Sequence, residues 1–396
     1  MNRPAAHSVR ANRPEETRPE DDRPVRPGPN RRGFLVAAGL TAVGAALSTT
    51  TGGRALAAGT AGTFRVPAED ARHTRTWMTW PDSTAIWGST LSGVQADIAL
   101  IARTVAKYEP VVMCANSGSA AKARQLCGST VTVITTIPVD DCWTRDTGPV
   151  FRTNGTGDLD AVGLNFNGWG NKQTHAKDAL VAGRIAAHVG VPISYAALVG
   201  EGGAVEQDGA GTLMATRSSL VNRNRNPAMT ERQVEAAVLA AYGASKLIWF
   251  DGVKGQDITD DHVDATSRFL GPGEALVQMP LATDTDVYAR DARQQYALLD
   301  AATTAGGVPM DVTQLQGPDY DKIRSRSRDF LASYANYYLC NGAVISAHFG
   351  DTRADQAARA TLARLYPDRV VEQLNIDRLG TGGGGIHCVT QQQPVA

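Results

Sequence analysis

The chain has 396 residues, 39 Lys and Arg against 40 Asp and Glu, a formal net charge of −1, 42% hydrophobic and 6% aromatic residues. This composition can bury a large core, which excludes a disordered or fibrous chain, and its balanced charge leaves no footprint for a nucleic-acid partner. Five dispersed cysteines with no C-x-x-C pair exclude a disulfide scaffold and structural zinc, and their odd number leaves at least one free thiol.

The first segment is rich in Pro and Arg. Asn30-Arg31-Arg32-Gly33-Phe34-Leu35 then leads into an apolar run reaching Leu47 and the small-residue site Ala55-Leu56-Ala57. The pattern reads as a twin-arginine export signal over residues 1–57, with an apolar stretch too short to span a bilayer comfortably. A secreted or periplasmic protein is expected, with no membrane span once the signal is removed. Its thiols would cross reduced, because that route carries folded chains.

Residues 58–396 are expected to form one domain. In chain order the periodicity predicts a helix over 94–108, strands over 111–115, 131–138 and 161–166, helices over 176–189 and 231–242, a strand over 246–250 and a helix over 352–365. Thr230 with Gln233 forms a capping box, Gly243 stops the same helix, and Asp351 caps the last one. Asp208-Gly209 and Asn341-Gly342 are hairpin turns in which both central residues can take positive φ. About five strand-helix-strand units fit, the signature of an α/β fold.

Four polar clusters begin or follow expected strands, where a rigid scaffold holds loop groups in place. In the first, Asp140-Asp141-Cys142-Trp143-Thr144-Arg145-Asp146-Thr147-Gly148-Pro149, Asp146 suits paired hydrogen bonds to a guanidinium and Trp143 offers an aromatic face for a cation; a solvated turn is the plainer reading. The second, Gly200-Glu201-Gly202-Gly203, holds a carboxylate able to orient an imidazole, or merely a turn. In Asp260-Asp261-His262-Val263-Asp264, an extended backbone would put His262 and Asp264 on one face as proton shuttle and partner, with a structural histidine or a metal ligand as alternatives. Finally, Cys388 follows four glycines and His387, either in a flexible tail or in a packed turn suited to a nucleophile; Ile386 and Val389 favour packing.

The order of these motifs resembles the agmatine deiminase and bacterial-type peptidyl-arginine deiminase family over about 64–394. Trp77-Met78-Thr79-Trp80-Pro81 and Asn222-Arg223-Asn224-Arg225-Asn226-Pro227 belong to the same likeness. The resemblance implies a five-bladed α/β propeller of ββαβ units with the site on its axis. It also implies Cys388 as nucleophile, His262 as general acid and base, Asp146 and Asp264 as clamp on the guanidinium nitrogens, and Glu201 as the carboxylate beside the histidine. No metal and no organic cofactor is implied. Three positions depart from the family pattern: Cys142 stands where Ser is common, Asp70 where Trp is usual, and Asp82 where Glu is usual. Cys142 reads as a small buried neighbour rather than a second nucleophile.

The implied reaction is hydrolytic deimination of a guanidino substrate through a covalent cysteine thiouronium, with agmatine giving N-carbamoylputrescine, a step of polyamine biosynthesis. Peptidyl-arginine or free arginine, giving citrulline, is the nearest alternative. An amidinotransferase or a non-catalytic binder of guanidino or polyamine ligands is further off, since a binder has no use for the thiol. A homo-oligomer is compatible with the sequence.

Overall fold

Short strands and amphipathic helices alternate so that one arrangement recurs five times over residues 62–396, the part described by the computed structural model. The expected export signal at 1–57 lies outside the described residues. Each unit is an antiparallel strand pair, then a helix, then a third strand parallel to the second. The second unit pairs Val150–Thr153 with Leu159–Gly163 and returns through Val181–Val189 to Ile193–Tyr195. The third runs Val205–Gln207, Thr212–Thr216, Glu231–Tyr242 and Lys246–Phe250. In the fourth, Ser267–Gly271 and Glu274–Met279 lead through Val287–Asp300 to Asp311–Gln316. The fifth repeats this with Tyr338–Cys340, Ala343–Ala347, Thr352–Leu365 and Val370–Leu374.

The first unit is assembled from both ends of the domain. Its outer strand is the C-terminal Gln391–Pro394, antiparallel to His73–Thr79, which continues through the helix Leu91–Val105 to the parallel Val111–Cys114 and, after a further helix, Val131–Ile134. Residues just upstream of that last strand are thereby tied to the start of the domain. Apolar side chains between sheets and helices form the core, among them Trp77, Met78 and Ile98, all with no exposed surface.

Local chemistry accounts for many element ends. The helix Glu231–Tyr242 has the capping box between Thr230 and Gln233 and a left-handed Gly243 at its end, and Asp351 accepts from the Ala354 N–H. The helix Val287–Asp300, capped by Asp286, was not singled out by periodicity. Two expectations are corrected. In the Asp208-Gly209 and Asn341-Gly342 turns only the glycines take positive φ, at 74° and 83°. The His262 and Asp264 segment is not a strand: Asp260 and Asp261 are left-handed, at φ 61° and 72°, and Val263–Ala265 is a single 3₁₀ turn.

Candidate active site

The repeat places the polar clusters at equivalent points, just upstream of the first strand of each unit. Asp146 precedes Val150, Glu201 precedes Val205, His262 and Asp264 precede Ser267, and Cys388 precedes Gln391. In the remaining unit Asn336 precedes Tyr338 at the same point. Five similar connections therefore deliver three carboxylates, an imidazole, an amide and a thiol to one place.

Gly203 shows how closely three of them gather. A Cβ on this residue would lie 2.7 Å from His262 Nδ1, 3.0 Å from Asp146 Oδ1 and 3.1 Å from Asp264 Oδ2, so only glycine lets them converge. Its N–H donates to Asp146 Oδ1 at 3.0 Å, and the Trp169 indole N–H donates to Oδ2 at 2.9 Å. Trp169 itself sits at φ 54°, in a region a bulky residue rarely takes, between the left-handed Gly168 and Gly170.

His262 lies between acids, with Nδ1 3.7 Å from Asp146 Oδ1 and Nε2 3.5 Å from Glu201 Oε2. Glu201 has no exposed surface and is gripped by Arg225, whose Nε donates to its two oxygens at 2.7 and 3.1 Å. Burial would raise the Glu201 carboxyl, but Arg225 and His262 together hold it below the usual range. Burial would likewise lower the imidazole, yet Asp146 foremost, with Glu201 and Asp264, pushes His262 up to about 9. The histidine thus carries a proton at neutral pH. The strained pair preceding it is over-determined: Ser218 and Thr216 hydroxyls donate to the Asp260 and Asp261 carbonyls at 2.7 and 2.6 Å, and Asp260 Oδ2 accepts from Lys172 and Arg225.

Cys388 is half-buried. Its sulfur lies 3.8 Å from Asp264 Oδ2 and 3.3 Å from Asn336 Nδ2. The Asn336 amide is oriented by the His387 N–H, which donates to Oδ1 at 3.0 Å, leaving Nδ2 to donate to the Asp264 carbonyl and toward the sulfur. Burial, then the charges of Asp264 and Asp146, raise the thiol well above its ordinary value. Asp264 is itself held low: burial would raise it, and the His387 hydrogen bond at 2.7 Å more than compensates. Its Oδ1 has no hydrogen-bond partner among the described residues. Burial raises Asp146, with Glu201 and Asp264 adding to the effect against His262.

The structure therefore brings Asp146, Glu201, His262, Asp264 and Cys388 into one connected cluster. Trp143 is placed differently. Its N–H donates to Asp141 at 2.9 Å, its ring packs near Trp87, and a Cβ at Gly384 would overlap it, so it supports the turn that carries Cys388. Cys142 has no exposed surface, and burial raises its thiol well above its ordinary value. Sequence reading missed Asn336, Trp169, and the acids Glu69 and Glu206 that meet His387. The last three bring ligand atoms within 4.8 Å of one another, as a metal site would, but Arg268 already pairs with both carboxylates at 2.8 Å. A cation there would have to displace a buried guanidinium.

Two carboxylates, an orphaned carboxylate oxygen, a protonated imidazole and a neutral thiol suit a planar cation attacked by sulfur. Residues 65–394 match the Porphyromonas-type peptidyl-arginine deiminase family. A relative from Streptomyces coelicolor is 38% identical over 343 residues, covering 84% of this chain and 99% of its own. The agmatine deiminase of Stutzerimonas stutzeri is 33% identical, covering 84% and 95%. Among solved structures, an agmatine deiminase of Enterococcus faecalis superposes with a TM-score of 0.79 at 27% identity, covering 84% of this chain and 96% of that one.

Proposed function

Because this chain belongs to the Porphyromonas-type peptidyl-arginine deiminase family, we propose that it hydrolyses the guanidino group of agmatine to N-carbamoylputrescine and ammonia. Asp146 and Asp264 hold the guanidinium nitrogens, with Asp264 Oδ1 as the open acceptor. The observation that carries the reading is the sulfur 3.8 Å from Asp264 Oδ2, where burial first and then the charges of Asp264 and Asp146 raise the thiol. A resting thiol so raised is a poor nucleophile, and a cation bound between the same carboxylates cancels their share of the effect and favours the thiolate. Ionisation is thereby coupled to substrate binding, the thiol proton leaving to solvent as the cation enters.

The thiolate forms a C–S bond to the guanidinium carbon, and rigid clamping lowers the entropic cost of that step. His262 gives its proton to the departing nitrogen, the C–N bond breaks and ammonia leaves, giving a thiouronium on Cys388. The neutral imidazole then takes a proton from water as the water oxygen attacks the same carbon. Breaking the C–S bond releases the ureido product, and the adduct's hydroxyl proton passes to the departing sulfur, which restores the resting thiol. Each step uses side chains alone. Glu201 keeps His262 protonated for the first half of the cycle, and Asn336 donates toward the sulfur.

The five sheets are read as the blades of a closed propeller, the C-terminal strand completing the first blade beside His73–Thr79. Residues 58–396 then form the catalytic domain, and the leader directs twin-arginine export to a periplasmic or extracellular location. Trp143 acts by supporting the glycine turn. Its indole stays with Asp141. The assay is ammonia release from agmatine, arginine and a blocked arginyl peptide by wild type and Cys388→Ala. Highest kcat/KM on agmatine, with no turnover by the variant, supports the proposal. Preference for the blocked peptide would replace agmatine as substrate, and turnover by Cys388→Ala would refute the mechanism.

A further inference from the structure

His387 precedes the nucleophile, yet the cycle above assigns it no task. It is 1% exposed, and each ring nitrogen faces a carboxylate: Nδ1 lies 2.7 Å from Asp264 Oδ2 and Nε2 lies 2.8 Å from Glu69 Oε2. Both carboxyls are held on the ionised side. For Glu69, burial would raise it, and Arg268 with His387 draws it well below the usual range. A ring between two carboxylates donates to both only when both nitrogens carry protons. The surrounding charges are Asp264, Glu69 and Glu206 on one side of the balance and Arg268 and Arg145 on the other, with His262 and Asp146 beyond Asp264.

Asp264 depends on this ring. Apart from the long contact with the Cys388 thiol, His387 is its side-chain partner among the described residues, while Oδ1 is left unpaired. A carboxylate with one partner is free to turn unless that partner is fixed. His387 is fixed at its backbone N–H by Asn336 Oδ1, at its carbonyl by Arg145 Nε at 3.3 Å, and at Nε2 by Glu69. Glu69 is anchored in turn by Arg268 and by the Leu339 N–H at 2.9 Å.

We propose that His387 is a positioning residue, an imidazolium bridging Asp264 and Glu69 that fixes the rotation of Asp264 and turns its Oδ1 toward the substrate guanidinium. The inference rests on the guanidino-hydrolase reading for its kinetic consequence. Its chemical content, a doubly protonated buried ring, stands apart from any substrate. Glu69, near the start of the domain, thereby acts on the site through His387 without touching substrate.

Two measurements test it. Nitrogen-15 spectra of histidine-labelled wild type at neutral pH, with His387 assigned by the signal lost in His387→Asn, should show both ring nitrogens protonated. A single protonated nitrogen at His387 overturns the proposal, and this holds even if no guanidino compound is turned over, the outcome that would instead end the hydrolase reading. In the kinetic arm, His387→Asn should lose about a hundredfold in kcat/KM for agmatine, with kcat lowered as well as KM raised, because a misrotated clamp misplaces the carbon from the sulfur. Glu69→Gln, which keeps the shape and removes the charge, should fall between that variant and wild type. A folded His387→Asn with wild-type kcat and KM would also overturn it.

Discussion

The turn that carries His262 and the turn that carries Cys388 deliver neighbouring groups by opposite means. The Asp260 to Ala265 turn is tied by charge: Asp260 to Lys172 and Arg225, His262 to Asp146 and Glu201, Asp264 to His387. In the glycine turn His387 is tied to Asp264 and Glu69, and the glycines themselves are held by fit. A Cβ at Gly382 would strike Trp87, at Gly384 Trp143, and at Gly385 Asn336. Compensated charge lets the first turn set a protonation state, so its imidazole is pushed up to about 9. The second buries its thiol beside two acids, while the neighbouring His387 ring is engaged by Asp264 and Glu69, so burial and then those acids raise the sulfur. In the proposed reaction a cationic substrate offsets the acids.

The sharpest way to break this contrast is Asp264→Asn, which touches both turns. Activity should fall by about a thousandfold as one arm of the clamp loses its charge. The same change removes the foremost charge raising Cys388, so alkylation of the resting thiol by iodoacetamide at neutral pH should speed up. Slower alkylation would show that the acids do not control the sulfur.

Next in size is Gly384→Ala, a test of fit alone. The added methyl displaces the Trp143 ring or the turn, and a shift on the order of 1 Å at the sulfur costs about a hundredfold in kcat/KM, with about 1–3 kcal/mol of stability lost to overpacking. Equal activity would mean that the turn is loose.

Glu201→Gln tests charge alone. It removes one of the acids that raise His262, so the alkaline limb of the kcat profile, set near 9 by loss of the catalytic proton, should move to lower pH. The buried Arg225 also loses a partner, at a cost of about 3 kcal/mol in denaturant unfolding. For stability the sign follows from a folded value above the unfolded one. What His262 contributes is complete below its ordinary value and is lost as pH rises through about 9, so the stability gap between wild type and variant should narrow on the alkaline side to the part that Arg225 accounts for. The mildest change, Trp143→Phe, keeps an aromatic ring but a smaller one and drops the 2.9 Å bond to Asp141, costing about 1–2 kcal/mol with little effect on KM.

The contrast also explains what the sequence made legible. Polar clusters announce themselves, some beside glycines, so Asp146, Glu201, His262, Asp264 and Cys388 could be singled out, and the capping box marked the helix Glu231–Tyr242 at its start. Asn336 carries no charge and lies in Ala335-Asn336-Tyr337-Tyr338, where alternation suggests only a strand. Its place upstream of the fifth unit's first strand would have exposed it, had the units been set in register. Trp169 had a local signal, a tryptophan between glycines flanked by asparagines, but its bond to Asp146 exists only in the folded chain. The extended backbone expected around His262 failed for a related reason. Two consecutive left-handed aspartates are costly by themselves and persist through contacts from Lys172, Thr216, Ser218 and Arg225, which local pattern cannot show.

The covalent step is the most direct point of attack. Wild type turning over agmatine should be quenched in acid, digested and weighed by mass spectrometry. The account predicts that the peptide bearing Cys388 gains the mass of agmatine less ammonia, that the adduct forms and decays with turnover, and that His262→Asn neither forms nor releases it at the wild-type rate. Turnover with no such adduct, or an adduct on Cys142 in its place, would contradict it.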